Sequence, residues 1–577
     1  MKKKTIKILS ILYLSIVTFT NTFSQTRNSD IQNATEYFHQ RKEAISLAQK
    51  AKWQEAIPLL ESLTAYYQKD SDLFYVLGLA YYQTEQYQNA IVALKQTLDL
   101  GGTILTGIPT GSRPSNDIMI KIAKAYALDG DKTNSMSWLQ KGFAARYDEK
   151  MQLQGNSAFK NFNKDKDYLA LFGIDSQKNM TRDDAWKKDI DYLLSRIEQL
   201  HFDMNHYVSK VDYEKVVHDL KTSISHATDE QIIVKMMKVL GTLGTGHNLL
   251  IPTSSKIGAL KKLPVQFYQF DDGLFIVDAD KDYEKWIGYK VELFENTSAE
   301  LALQKTNAVN ARDNDMQILW LGPYYLGLPD VLEGLGIIED ANQVSLTLSN
   351  SKGKSEKATM NPVAWNFTGT PVLPKLKAKK QPLFLSKKED FYWSKVLPEH
   401  NAMYVQFNAF VAKDEPTFPD FNLKLLENIK QNNYQNLILD MRLNAGGNGA
   451  MIAPMLKALI KFESTNPKGK IFVLIGRGTF SAAQNFLVNI TKNTNAIIVG
   501  EPSGSSPNFA GEAGYFKLPY SGLWGIIASQ YHQSSTAEDK RKWVAPHIPV
   551  GQSSTDFFNG NDKALNSIFE IIKSDKN

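Results

Sequence analysis

The chain has 577 residues, 43% hydrophobic and 22% charged, a composition that folds and a length beyond one ordinary core. It has no cysteine, which excludes disulfides, thiol catalysis, thiolate metal sites and an anchor through a lipidated N-terminal cysteine. The formal charge of +5 falls to +1 once residues 1–24 are set aside, and the one short basic run, Lys375 to Lys380, reads as a solvated loop, so composition gives nucleic-acid binding no support.

The chain opens with Lys2, Lys3, Lys4 and Lys7, an apolar run from Ile8 to Phe19, and small residues Thr22 and Ser24. This pattern reads residues 1–24 as a cleaved secretory signal, too short for a good membrane span, and sends a soluble product to the periplasm or the exterior. Next, WQEAIPLLESL from Trp53 is echoed by YQNAIVALKQTL from Tyr87, with Ala56 and Ala90 in register 34 residues apart and LGLAYY between them. A degenerate third copy runs from Ile122 to Phe143 behind an inserted loop. The period and pattern resemble tetratricopeptide repeats, so residues 30–150 are expected to form stacked helices that either bind a peptide or partner protein or act as a spacer.

A polar linker over 151–180 is expected to lead into helices over 181–255, with helical periodicity from Asp183 to Leu200 and from Asp229 to Leu243. Strand-like alternation then surrounds the turn signal Asp271-Asp272-Gly273 in a β-rich segment over 260–350, closed by VSLTLSN from Val344. The aromatic stretch from Ile318 lines a substrate cleft or forms the wall of that segment. Residues 351–398, rich in Lys and Pro between Pro371 and Glu389, read as a second linker. From 399 to 577 strands alternate with helices, beginning with NAMYVQFNAF from Asn401, and imply an α/β core.

Within that core, NLILDMRLNAGGNG and KIFVLIGRGTFSAAQN each carry an apolar strand into a loop of small residues, followed by NAIIVGEPSG. Ser481 stands where strand gives way to helix, the edge at which α/β sheets present reactive groups. It is either a nucleophile or an ordinary helix N-cap. Gly446 and Gly447, with the Ala482 N–H, form an oxyanion hole or simply a turn. Asp440 with Arg442, and Glu501, position substrate or form structural ion pairs. No HExxH, EF-hand, Walker or dinucleotide fingerprint is present, so no metal or cofactor is expected.

DMRLNAGG, GRGTFSAAQN and VGEPSG resemble, in order and spacing, the core of the tail-specific (C-terminal processing) serine peptidases, over roughly Thr181 to Val550. The resemblance implies a multidomain chain: the tetratricopeptide-like helices, a small β-rich PDZ-like insert, and a crotonase-like or ClpP-like α/β peptidase core. It implies a peptide or protein substrate, with Ser481 as nucleophile. The lysine that activates the serine in one branch of the family is replaced here by Ser506, and the next lysine is Lys517. The tricorn-like and retinoid-binding-like branch uses a histidine from a D-G-H-T motif; this chain has Thr245-Gly246-His247-Asn248, which makes His247 the expected base and His532 and His547 weaker candidates. Glu538 or Asp539 is expected to orient the imidazole. The competing reading keeps the fold, drops catalysis and leaves a protein that binds an apolar ligand or peptide.

Overall fold

The computed structural model describes residues 29–574 apart from 104, 106–107, 109–114, 148–149, 173–179, 205–207, 255, 366–372 and 375–380. The expected signal, residues 1–24, and the Lys375 to Lys380 run lie outside the described residues. The chain divides into two compact units, Met1–Ser176 and Gln177–Asn577. No helix among the described residues is long and apolar enough to cross a membrane.

In the first unit, helices Ala34–Gln49, Trp53–Tyr66, Ser71–Gln83, Tyr87–Asp99, Ser115–Leu128 and Lys132–Ala144 follow one another, each packed on the next. Asn33, Asp70 and Asp131 begin three of them by accepting hydrogen bonds from backbone N–H groups of the first turn. Small residues set the spacing: a Cβ at Gly78 would lie 2.7 Å from Leu94. The stretch expected as a linker over 151–180 departs from that reading. Short helices Lys150–Leu153, Ser157–Phe159 and Lys166–Ala170 bury Phe159 and Tyr168 against Leu139 and Phe143, and Tyr168 donates to the Leu153 carbonyl at 2.7 Å. Its aromatic residues outweigh its polar ones.

The second unit has three parts. Helices Arg182–Leu200, Lys210–Ser223 and Asp229–Gly241 pack on a sheet in which strand Leu249–Ile251 pairs with Trp524–Gln533, itself paired with Asn508–Lys517. An antiparallel sheet follows, in the order Ser355–Met360, Val344–Ser349, Lys290–Phe294, Gly273–Ala279, Val265–Phe270, with Asp271 and Asp272 forming the hairpin loop that the sequence marked. The helix Met316–Leu326, within the aromatic stretch, packs on strand Val265–Phe270. This sheet runs past 350 to Met360, so its last strand comes from the segment expected as a linker.

The third part is a sheet ordered Tyr392–Leu397, Ala402–Phe407, Asn436–Asp440, Lys470–Ile475, Ile497–Gly500, Ile548–Pro549, parallel except for its first pair. Its opening strand, Tyr392–Leu397, also lies in the expected linker. Both faces are covered, so the central strands read as continuous apolar runs. Leu437, Leu439, Ile471 and Val473 face helices Phe418–Asn432, Ile452–Thr465 and Ala482–Asn493, while Ile438, Phe472 and Leu474 face helix Lys563–Ser574. The loops that leave the carboxyl ends of the parallel strands carry the candidate site.

Candidate active site

Strand Lys470–Ile475 is buried from Ile471 onward, and the six residues from Gly476 to Ser481 turn the chain into helix Ala482–Asn493. That turn is fixed by its own polar groups. Gly476 N–H donates to Thr479 Oγ1, the Thr479 hydroxyl donates to the Met441 carbonyl, and Phe480 N–H donates to the Asn444 carbonyl. Ser481 occupies the N-cap position but makes no capping hydrogen bond, and its backbone has φ 55° and ψ −124°. A non-glycine residue in that region costs about 1–3 kcal/mol and persists only where its surroundings impose it. The hydroxyl that would have capped the helix lies instead 2.9 Å from His247 Nε2.

His247 follows helix Asp229–Gly241 and precedes strand Leu249–Ile251. The two positions at which its motif departs from D-G-H-T bond to each other: Asn248 Nδ2 donates to Thr245 Oγ1 at 2.7 Å, and Asn248 Oδ1 accepts the Ala528 N–H at 2.9 Å. Gly246 leaves no room for a side chain, since a Cβ there would lie 2.5 Å from Gln317 Nε2 and 2.9 Å from the Phe480 ring. The imidazole stacks with two rings, with centroids 4.4 Å from Phe480 and 5.5 Å from Phe509, the latter tilted by 7°. Burial first, and the neighbouring His532 second, lower its pKa from 6.5 to about 3. It is therefore neutral at neutral pH, the form that accepts a proton.

The carboxylate expected on the imidazole is not in place. His247 Nδ1 is buried without a hydrogen-bond partner among the described residues. Asp539 is bonded by Arg541 at 2.7 Å, an interaction that holds its carboxyl well below the usual range, and Glu538 is exposed. Asp539 thus finds its partner within its own loop and not on the ring. His532 Nε2 lies 3.7 Å from Glu512 Oε2, and His547 Nδ1 accepts the Ile498 N–H at 3.0 Å, a structural bond at the sheet edge. Ser506, at the position of the family lysine, donates to the Lys542 carbonyl.

The glycine pair divides its work differently from the expectation. Gly446 N–H donates to Asn444 Oδ1 at 2.9 Å and is not free for an oxyanion. Its contribution is space: φ is +102°, and a Cβ would lie 2.6 Å from Ser481 Cβ and 2.9 Å from Ala482 N. The N–H groups of Gly447 and Ala482 have no acceptor among the described residues. Asn444 is a residue that the sequence did not single out. Its side chain accepts from Gly446 and donates to the Phe407 carbonyl, and its own carbonyl accepts from Phe480, so one asparagine ties the glycine loop to the serine turn.

Behind the loops lie two buried ion networks. Arg442 bonds Asp440 and Asp562, and Tyr404 donates to Asp440 at 2.8 Å. Arg477 bonds Glu501 and donates to the carbonyls of Gln269 and Leu319. Burial pushes the Glu501 carboxyl up, but the Arg477 charge and hydrogen bonds outweigh it and hold the carboxyl below its usual value. With every guanidinium edge engaged, these arginines brace the loops. Among the described residues no group of three His, Asp or Glu side chains is arranged to hold a metal ion.

No family model matches the sequence, and no curated protein matches it. Several solved structures are similar to it, three of which follow. Mature CPAF is 13% identical with a TM-score of 0.46, over 68% of this chain and 99% of that one. The photosystem II D1 C-terminal processing protease is 11% identical with a TM-score of 0.32, over 67% and 99%. An S41 protease structure from Bacteroides fragilis NCTC 9343 is 10% identical with a TM-score of 0.31, over 66% and 97%. At TM-scores of 0.31 to 0.46, none of these likenesses decides what this chain does.

Proposed function

We propose that the chain is an exported serine-type peptidase, an endopeptidase or carboxyl-terminal processing enzyme that hydrolyses peptide bonds through an acyl-enzyme. The observation that carries this reading is the 2.9 Å approach of the strained, non-capping Ser481 hydroxyl to the neutral His247 imidazole. Ser481 Oγ attacks the peptide carbonyl as Nε2 takes its proton, and the Ala482 and Gly447 N–H groups receive the oxyanion. Nε2 then returns the proton to the leaving amine. Water enters by the same route and releases the acid.

A second reading, a peptidase fold that binds a peptide or apolar ligand without cleaving it, is favoured by one observation, the unpartnered His247 Nδ1. An Nδ1 proton without an acceptor favours the tautomer that holds the proton on Nε2, which cannot serve as base. Labelling of the protein with a fluorophosphonate, followed by mass mapping, separates the two. Modification at Ser481 that is lost in Ser481→Ala establishes an activated serine; a folded protein that takes no label is a binding protein.

A further inference from the structure

The mechanism above leaves one carboxylate beside the site unused. Asp313 lies just before helix Met316–Leu326, and its two oxygens bond to two different loops. Oδ1 accepts the N–H of Gly246, the residue before His247, at 2.8 Å, and Oδ2 accepts the Ser505 hydroxyl at 2.7 Å. The Asp313 N–H donates to Gln317 Oε1 at 2.6 Å, which fixes the carboxylate from behind. Next along the chain, Asn314 donates to the carbonyls of Ser503 and Lys542 at 3.1 and 2.8 Å, so the whole turn is anchored.

The Ser505 loop reaches the nucleophile's side of the site. Gly504 N–H donates to the Thr479 carbonyl at 3.0 Å, two residues before Ser481. A Cβ at Gly504 would lie 2.3 Å from the Arg477 carbonyl, so the loop is pressed onto the turn that carries the serine. One continuous set of hydrogen bonds thus runs from the base loop through Gly246, Asp313, Ser505 and Gly504 to Thr479. The imidazole itself is stacked with two rings, Phe480 and Phe509, and has no hydrogen bond at Nδ1. Beyond that stacking and the contact to Ser481, its position is set through its backbone.

We infer that Asp313 is a positioning residue, a carboxylate that holds the serine turn and the histidine loop at reacting distance by bonding the Gly246 peptide and Ser505, in place of an acid on the imidazole. This inference rests on the reading of Ser481 and His247 as nucleophile and base. A geometric role needs two acceptor or donor atoms at fixed positions and no charge, so asparagine should replace aspartate: its Oδ1 accepts from Gly246 and its Nδ2 donates to Ser505. A displacement of about 1 Å between reacting groups costs about 100-fold in rate.

The test compares fluorophosphonate labelling rates of wild type, Asp313→Ala, Asp313→Asn and Ser505→Ala, together with amide hydrogen exchange of the peptide spanning Gly244 to Asn248. Asp313→Ala is expected to label about 100-fold more slowly and to lose protection in that peptide, while Asp313→Asn stays within about threefold of wild type on rate and keeps the protection. Labelling of Asp313→Ala at the wild-type rate, unchanged exchange, or Asp313→Asn as slow as Asp313→Ala overturns the inference. If Asp313→Ala does not fold, Ser505→Ala decides, and a wild-type rate there overturns it. A wild type that takes no label overturns the reading of Ser481, and the catalytic role of Asp313 with it; a labelled wild type beside an unaffected Asp313→Ala overturns Asp313 alone.

Discussion

The two sides of the candidate site are held by different forces. On the serine side every turn is closed by a hydrogen bond: Asn444 to Gly446 and Phe480, Thr479 to Gly476 and Met441. On the histidine side the loop backbone is hydrogen-bonded, but the ring carries one polar contact, to Ser481, and is otherwise stacked with Phe480 and Phe509. Hydrogen bonds are directional and fix a strained backbone; stacked rings restrict tilt and leave in-plane rotation to be stopped by packing. Ser481 is thus set by the sheet that presents it, and the His247 ring by what surrounds it.

The largest test of that difference removes the imidazole, the proposed base. His247→Ala is expected to slow labelling of Ser481 by about 10⁴-fold or more, as for a member of a catalytic group acting as a unit, while Ser481 keeps its backbone because the hydrogen bonds that close its turn do not involve the imidazole. A loss under about tenfold means that another group accepts the proton. On the serine side, Gly446→Ala is the matching perturbation. Its methyl would lie 2.6 Å from Ser481 Cβ at a φ of +102°, so labelling should fall about 100-fold and stability by about 1–3 kcal/mol, read from chemical denaturation. Unchanged labelling would show that the serine turn is less fixed than its hydrogen bonds imply.

Phe509→Leu probes the ring clamp with little change in volume. Phe509 is buried, and exchange for an apolar residue of similar size costs less than about 1.5 kcal/mol of stability. The lost stacking is worth about 0.5–1.5 kcal/mol, so labelling should fall about three- to tenfold with folding intact. If the rate is unchanged, Phe480 and the backbone ties hold the ring without Phe509.

The same division explains what could be read from the sequence. Ser481 and the glycine loop were legible because their signals are local: an apolar run, then small residues, within one strand and its loop. His247 was legible through a motif, and the altered positions Thr245 and Asn248 made sense only once they were seen to bond to each other. Asp313 gave no signal, because its partners lie 67 and 192 residues away and nothing in ARDNDMQ distinguishes a clamp from a polar turn. Glu538 and Asp539 misled because order along the chain was their evidence, whereas Arg541, two residues on, already neutralises Asp539. The strand Tyr392–Leu397 was hidden by the Lys- and Pro-rich stretch before it and by its own exposed centre, Ser394 to Val396, as an edge strand.

The smallest expected effect is a pH dependence that stays flat where a histidine enzyme usually declines. A solvated imidazole with a pKa of 6.5 is mostly protonated at pH 5 and would lose most of its capacity as a base. Burial lowers the His247 value to about 3, with the charge of His532 acting in the same direction, so the ring stays neutral through that range. The labelling rate should change little from pH 8 to about 5, and Phe509→Ala, which removes a ring that helps to bury the imidazole, should bring back an acid limb toward 6.5. Asp313, which burial raises to about 6, titrates inside this window. A limb near 6 that disappears in Asp313→Asn therefore belongs to Asp313, and one that persists belongs to the imidazole. The stability terms of the two groups have opposite signs. The unfolded chain protonates His247 first, so that contribution is complete above 6.5 and is lost as pH falls toward about 3; the folded chain keeps the Asp313 proton longer, so that contribution is present below 3.8 and is lost as pH rises through about 6. Denaturant midpoints measured beside the labelling rates separate unfolding from protonation of the base. A rate that falls at 6.5 in a fully folded wild type would place the imidazole in water and remove the aromatic clamp from the account.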